Sequence, residues 1–288
     1  MHPFTVTDVR ALPGDSAFLI DDGKTSILCD SGFAFTGEKI AQNIKNVLQD
    51  RALDYIFLTH SHYDHALASA YIAKTYPKVN IVASSYAKRI FEKPTARQAM
   101  RELDKTQAKA CGVEDYPDYI DDLRVDIPVE GGEVIKAGDM AFEVIALPGH
   151  TKCSIGFYLA ENKLLISNET LGVYFENELI LPAYLVGYQQ ALQSIKRAQA
   201  LGAERLLLPH YGLVEGDKAA WFLSECETST VRIAEQIKAI LQAGGSIQEA
   251  LDFFKARYYQ PCVQPIYPPH AFTLNTRIMI ERIQSELL

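Results

Sequence analysis

The sequence predicts an α/β protein with a two-sheet core and helices on the outside. Strand-like apolar runs fall into two groups, within residues 17–82 and 133–208, and each group is followed by segments of helical periodicity. The last ~70 residues read as helix alone, a C-terminal helical extension.

Residues 17–20 and 26–29 flank Asp21-Asp22-Gly23-Lys24, whose Asp-Gly is a turn signal, so they form a hairpin. Residues 38–48 space Ile40, Ile44, Val47 and Leu48 along one helical face. Residues 53–59 read as a buried strand, 66–74 as the core of an alanine-rich helix running to Tyr76, and 79–82 as the next strand. One or two charged helices over residues 85–122 interrupt the strands, as a covering insertion or as a plain connecting layer; residues 95–103 are polar enough to be largely exposed. Strands return at 133–136, 140–146, 154–159 and 163–167, with Gly138-Asp139 and Glu161-Asn162 as turns. A helix over 187–200 precedes a strand at 205–208. Helices follow at 217–241, after the capping-box signature Ser246-Ile247-Gln248-Glu249, and at 273–287. The reading divides the chain into a mixed region of strands and helices, 1–214, and a helical region, 215–288.

At 288 residues and 48% hydrophobic, the chain has material for a sizeable core. Its net charge of −8 argues against nucleic acid as a partner, because a phosphate-tracking surface needs clustered Lys and Arg. Residues 1–10 lack the basic start and apolar stretch of a secretory signal, and no apolar run approaches the ~18 residues of a membrane span. Five cysteines, scattered and without a Cys-x-x-Cys pair, fit a reduced cytoplasmic protein.

The chemistry concentrates in His60-Ser61-His62-Tyr63-Asp64-His65, which holds three of the chain's seven histidines directly after a predicted strand. If the chain stays extended through His62, His60 and His62 point to one side and reach one cation, while Asp64 and His65 at the start of the next helix hold a second. His150 and His210 each follow an apolar run and a turn residue, Gly149 and Pro209, where an α/β fold presents ligands. Incidental surface histidines are the bland alternative, and their clustering argues against it. Cys153, three residues beyond His150, sits in an alternating strand-like run and reads as a buried small apolar residue.

In that order, His-x-His-x-Asp-His, Gly149-His150-Thr151, a carboxylate after Leu164-Leu165-Ile166-Ser167 and Pro209-His210 resemble the metallo-β-lactamase fold superfamily of hydrolases. Ala17-Phe18-Leu19-Ile20 and Ile27-Leu28-Cys29-Asp30-Ser31-Gly32 look like its opening hairpin and Asp-x-Gly turn. The resemblance covers about residues 14 to 214 and implies a four-layer αββα sandwich. It implies that His60, His62 and His150 bind one metal, and Asp64, His65 and His210 the other. Glyoxalase II-like members carry a bridging aspartate, and here Glu169 stands in that position, preceded by Asn168 where glycine is usual. Asparagine tolerates left-handed backbone, so a tight turn stays open to the chain there.

The resemblance further implies a metal-dependent hydrolase of an ester, thioester or lactone, with two divalent ions generating hydroxide and Asp64 orienting water or returning a proton. Zinc, then iron, suits an all-nitrogen-and-oxygen donor set, and manganese is also accommodated. The partner is a small-molecule acyl substrate, with neither nucleic acid nor membrane; oligomeric state is not read from the sequence. The C-terminal helices resemble in layout those that shape the pocket of glyoxalase II-like enzymes and the quinolone-signal thioesterase. The aromatic segment 265–272 reads as a rigid strap over the metal loop, with His270 in a packing or surface role. Two other readings stand beside the hydrolase. One is a non-catalytic binding or regulatory protein with a weakened centre. The other is a di-iron redox protein, whose usual glutamate at position 62 and flavin domain this chain lacks.

Overall fold

The structure, a computed structural model, describes residues 3–288; Met1 and His2 lie outside the described residues. The chain forms two compact units, one reaching to Ile145 and including Ile155–Asn162, the other made of Ala146–Ser154 and Lys163–Leu288.

In the first unit, strands β1 (Thr5–Asp8), β2 (Phe18–Asp21), β3 (Ser26–Cys29), β4 (Tyr55–Phe57), β5 (Asn80–Ser84) and β6 (Ile127–Val129) lie side by side in chain order. The β2–β3 hairpin is as expected, with Phe18 opposite Cys29 and Ile20 opposite Ile27. Asp22 Oδ1 accepts from the amides of Lys24 and Thr25, and Gly23 takes the left-handed backbone (φ 85°) of the turn. From β3 to β6 the pairing is parallel, which requires crossovers. These are α1 (Gly37–Leu48), which buries Ile40, Ala41, Ile44 and Leu48, then α2 (Tyr63–Ala66) and α3 (Ser69–Thr75), then α4 (Ser85–Phe91) and α5 (Pro94–Ala110).

Two departures from the sequence reading bear on the site. The β4 strand is short: beyond Phe57 one more bond, Leu58 N to Val82 O at 2.9 Å, continues the pairing with β5, and the Thr59 amide then turns to a side chain, donating to Asp30 Oδ1 at 2.8 Å. The single helix expected over 66–76 is broken, since Ala68 N donates to Gly32 O (3.2 Å) and the Ser69 hydroxyl to Ala66 O (2.6 Å). The hexapeptide is therefore an extended exit followed by one short turn of helix. Residues 95–103 are largely exposed, as expected. The same unit contains β7 (Val134–Ala137), β8 (Met140–Ala146) and β9 (Ile155–Leu159), and its core stacks Phe57 on Phe157 at 4.4 Å with Phe142 edge-on.

In the second unit β10 (Leu164–Ile166) pairs parallel with β13 (Arg205–Leu208), which pairs antiparallel with β14 (Gly212–Glu215). Helix α6 (Tyr188–Ala200) crosses between them. A hairpin that local periodicity did not reveal, β11 (Val173–Phe175) with β12 (Leu179–Leu181), turns through Asn177 and Glu178, both at positive φ. The terminal helices α7 (Asp217–Gln242), α8 (Ile247–Tyr258) and α9 (Pro269–Leu287) share one core with β11, β12 and α6. Val173, Tyr184, Tyr188, Ile233, Phe254, Tyr258 and Ile280 meet there, each large side chain contributing roughly 1.5–3 kcal/mol by burial. The capping box at Ser246 and Glu249 forms as expected. Helix α9 starts four residues earlier than its periodicity implies, because Pro269 suits the first helical position, where no amide donor is needed. Among the described residues no helix is long and apolar enough to cross a membrane.

Candidate metal centre

The first unit supplies His60, His62, Asp64 and His65. His60 and His65 are fully buried, whereas His62 and Asp64 are half-buried. The His60 ring stands 4.7 Å from that of His62 and 4.1 Å from that of His65, centroid to centroid. His60 and His62 offer donor atoms within 4.8 Å of each other, as do Asp64 and His65, which matches the pairing expected from strand alternation and the helix start.

Asp30 organises this half. Its Oδ2 accepts from His65 Nδ1 at 2.8 Å and from the Ser16 hydroxyl at 3.0 Å, and Oδ1 accepts from the Thr59 amide at 2.8 Å. The Thr59 hydroxyl lies 3.0 Å from both carboxylate oxygens and 3.1 Å from His60 Nδ1. A hydroxyl has one proton; donated to Asp30, it leaves Thr59 Oγ1 to accept from His60 Nδ1–H. One carboxylate thus orients His65 directly and His60 through Thr59, setting both rings in the tautomer whose lone pair is on Nε2, the form that ligates metal. Burial pushes the Asp30 carboxyl up, but the neighbouring His65 and His60 and the Thr59 amide outweigh it and hold the group below the ordinary carboxylate value. Asp30 sits at φ 54° in the turn after β3, a backbone state that Asp tolerates better than most residues. Its role here was not read from the sequence, where it marked only the Asp-x-Gly turn.

The second unit supplies His150, Glu169 and His210. His150 Nδ1 donates to Ala183 O at 2.8 Å, which leaves Nε2 as the nitrogen facing the carboxylate, 2.7 Å from Glu169 Oε2. His210 Nε2 lies 3.5 Å from the other oxygen, Oε1. All three residues are buried. Gly149 has no alternative here, since at φ 143° a Cβ would lie 2.7 Å from Ala191 Cα and 2.8 Å from Thr170 Cγ2. The Thr170 hydroxyl accepts from His150 N (3.1 Å) and donates to Leu147 O (2.7 Å), tying the His150 loop to the Glu169 turn. His210 is held at φ 60°, where histidine is among the few enriched side chains.

A tight turn does form at Asn168, by another route than left-handed backbone. The asparagine's backbone is extended (φ −135°, ψ 178°) rather than left-handed, and it caps the 3-10 turn Glu169–Leu171 by accepting from Thr170 N at 2.8 Å. Capping, not backbone permissiveness, is what its short carbonyl side chain provides. Cys153 is buried, as expected, with Sγ 3.1 Å from the Thr151 hydroxyl. His270 is exposed on the first turn of α9. The residue of the aromatic strap that reaches this cluster is Tyr267, whose hydroxyl donates to Glu169 Oε1. Its only trace in the sequence is its place in that strap.

Each unit's donors suit divalent cations: imidazoles, most of them buried, and carboxylates, with nitrogen and oxygen donors only. The family profile described as Metallo-beta-lactamase superfamily matches residues 13–210. Among individual proteins, the chain is 26% identical over 197 residues to the metallo-beta-lactamase fold-containing protein ST1585 of Sulfurisphaera tokodaii, covering 63% of this chain and 72% of that one. It is 26% identical over 166 residues to hydroxyacylglutathione hydrolase GloC of Haemophilus influenzae, covering 58% and 70%. Among solved structures, a beta-lactamase domain protein from Burkholderia ambifaria superposes with a TM-score of 0.66 at 13% identity, over 98% of this chain and 85% of that one, which shows the shared fold. By the match of that profile to more than half its length, this chain belongs to the metallo-β-lactamase superfamily and has its mixed α/β fold, followed by a C-terminal helical region.

Proposed function

We propose that the chain is a metal-dependent hydrolase of an ester, thioester or lactone. In this reading His60, His62, His150 and Glu169 hold one divalent ion, and Asp64, His65 and His210 the other, with Glu169 between them. Zinc or iron suits the donors, with manganese third. The observation that carries the proposal is the tautomer control at His60, His65 and His150. Each is fixed through Nδ1 by Thr59, Asp30 or the Ala183 carbonyl, and the surroundings of a metal ligand have that form. The similarity to a hydroxyacylglutathione hydrolase supports the substrate class.

Bound there, the ions would lower the pKa of water and polarise a carbonyl oxygen. The protein's own share is positioning and proton movement. Asp64, whose side chain keeps 18% of its exposure, is the group we assign to returning a proton to the leaving atom of a small acyl substrate. Residues 1–214 would carry the reaction, and 215–288 would shape the pocket. The cysteines are all free thiols, consistent with a cytoplasmic setting.

A second reading, a binding or regulatory protein with a weakened centre, rests on Glu169 standing where the family's glyoxalase II-like members have aspartate. One experiment separates the two. Metal-loaded protein is assayed against a panel of acyl thioesters and lactones beside His62→Ala and Glu169→Asp. Turnover lost in His62→Ala supports the hydrolase. Inactivity on every substrate, with less than one metal per chain and both restored by Glu169→Asp, supports the second reading.

A further inference from the structure

We propose that Tyr267 is a positioning residue for Glu169, its hydroxyl fixing the rotation of a carboxylate that is one methylene longer than the aspartate it replaces. This rests on the reading of Glu169 as a metal-holding carboxylate.

Glutamate has one more side-chain torsion than aspartate, so its carboxylate needs an additional restraint to present a defined pair of oxygens. The structure supplies one. Oε2 faces His150 Nε2 at 2.7 Å, whereas Oε1 receives the Tyr267 hydroxyl and lies 3.5 Å from His210 Nε2. The two oxygens are thus distinguished, one towards each histidine, and the phenol holds the second of them. Glu169 is 1% exposed, and a carboxylate so buried is costly unless hydrogen bonds or cations surround it.

Tyr267 is itself well fixed. It is 8% exposed, its amide donates to Val263 O at 2.9 Å, and its ring centroid lies 6.5 Å from that of Phe175 on β11. Pro268 and Pro269 follow and open α9, so the backbone beyond the phenol is stiff. A tyrosine suits the position because its ring packs among apolar groups while its tip donates one hydrogen bond. The C-terminal region would therefore act on metal affinity, besides any part in forming the pocket.

The test is Tyr267→Phe in the full chain, which removes one oxygen and keeps the ring. Metal-free protein is loaded with zinc in a chelator competition and with cobalt(II) for its visible spectrum. Affinity is expected to fall about tenfold, as for other outer partners of metal ligands, and the cobalt bands to shift, while the metal-free protein keeps its circular dichroism. In a Glu169→Asp background, where the shorter carboxylate withdraws from the phenol, adding Tyr267→Phe is expected to change affinity less than about twofold. As a second variant, 3-fluorotyrosine at position 267 retains ring and hydroxyl and donates more strongly, and should move the cobalt bands opposite to Tyr267→Phe. Native affinity and an unshifted spectrum in both Tyr267 variants, with affinity lost in Glu169→Ala, would overturn the positioning role alone. Native metal binding in Glu169→Ala would instead overturn the reading of Glu169 beneath it.

Discussion

His65 Nδ1 lies 2.8 Å from Asp30 Oδ2 with both side chains buried, and this pair fastens the hexapeptide to the turn after β3. Asp30→Asn keeps the shape but presents an amide in place of a charge. It cannot satisfy the Thr59 amide, the Thr59 hydroxyl and His65 Nδ1–H together. Zinc affinity is expected to fall about 10–100-fold, read by chelator competition, with the helical content unchanged. Unaltered affinity would reduce Asp30 to a packing role.

His62 is half-buried, so its loss should be felt in chemistry far more than in folding. His62→Ala is expected to abolish hydrolysis across the acyl panel and lower metal content. In the presence of chelator its unfolding free energy should stay within about 0.5 kcal/mol of the native protein. Urea titration and elemental analysis check both halves of the statement.

Gly149→Ala adds a methyl where the nearest atom is the α6 backbone at Ala191, 2.7 Å away, and at φ 143°, which side chains rarely adopt. Neither neighbour is a flexible tip that swings aside. A destabilisation of about 2–4 kcal/mol is expected from clash and backbone strain together, measured as a lowered urea midpoint. Because His150 follows directly, metal content should drop as well.

Asp104 on α5 is buried and accepts from Ala34 N at 2.9 Å and from the Tyr116 hydroxyl at 2.6 Å. Burial pushes its carboxyl from 3.8 up to about 6, against the opposing pull of those two hydrogen bonds. A carboxyl raised on folding binds its proton more tightly in the native state. Its contribution is therefore fully present below about pH 4 and is lost as pH rises through about 6. Asp104→Asn removes this dependence. Between pH 4 and 7.5 the native protein is expected to lose about 2 kcal/mol relative to the variant, read from paired urea titrations. A pH-independent difference would refute the assignment.

What the sequence determined by itself is local. Asp22-Gly23 specified the β2–β3 hairpin, Ser246 and Glu249 the start of α8, and the two-residue spacing of His60 and His62 their common side. Each of these depends on neighbours within a few positions, where torsional preference and side-chain period act directly. The tertiary structure decided what depends on a distant partner. The carbonyl of Gly32 breaks the helix at Ala68, Asp30 orients His65 from 35 positions away, and Tyr267 reaches Glu169 across 98. A buried polar group takes whichever partner packing delivers to it, and no local pattern carries that address.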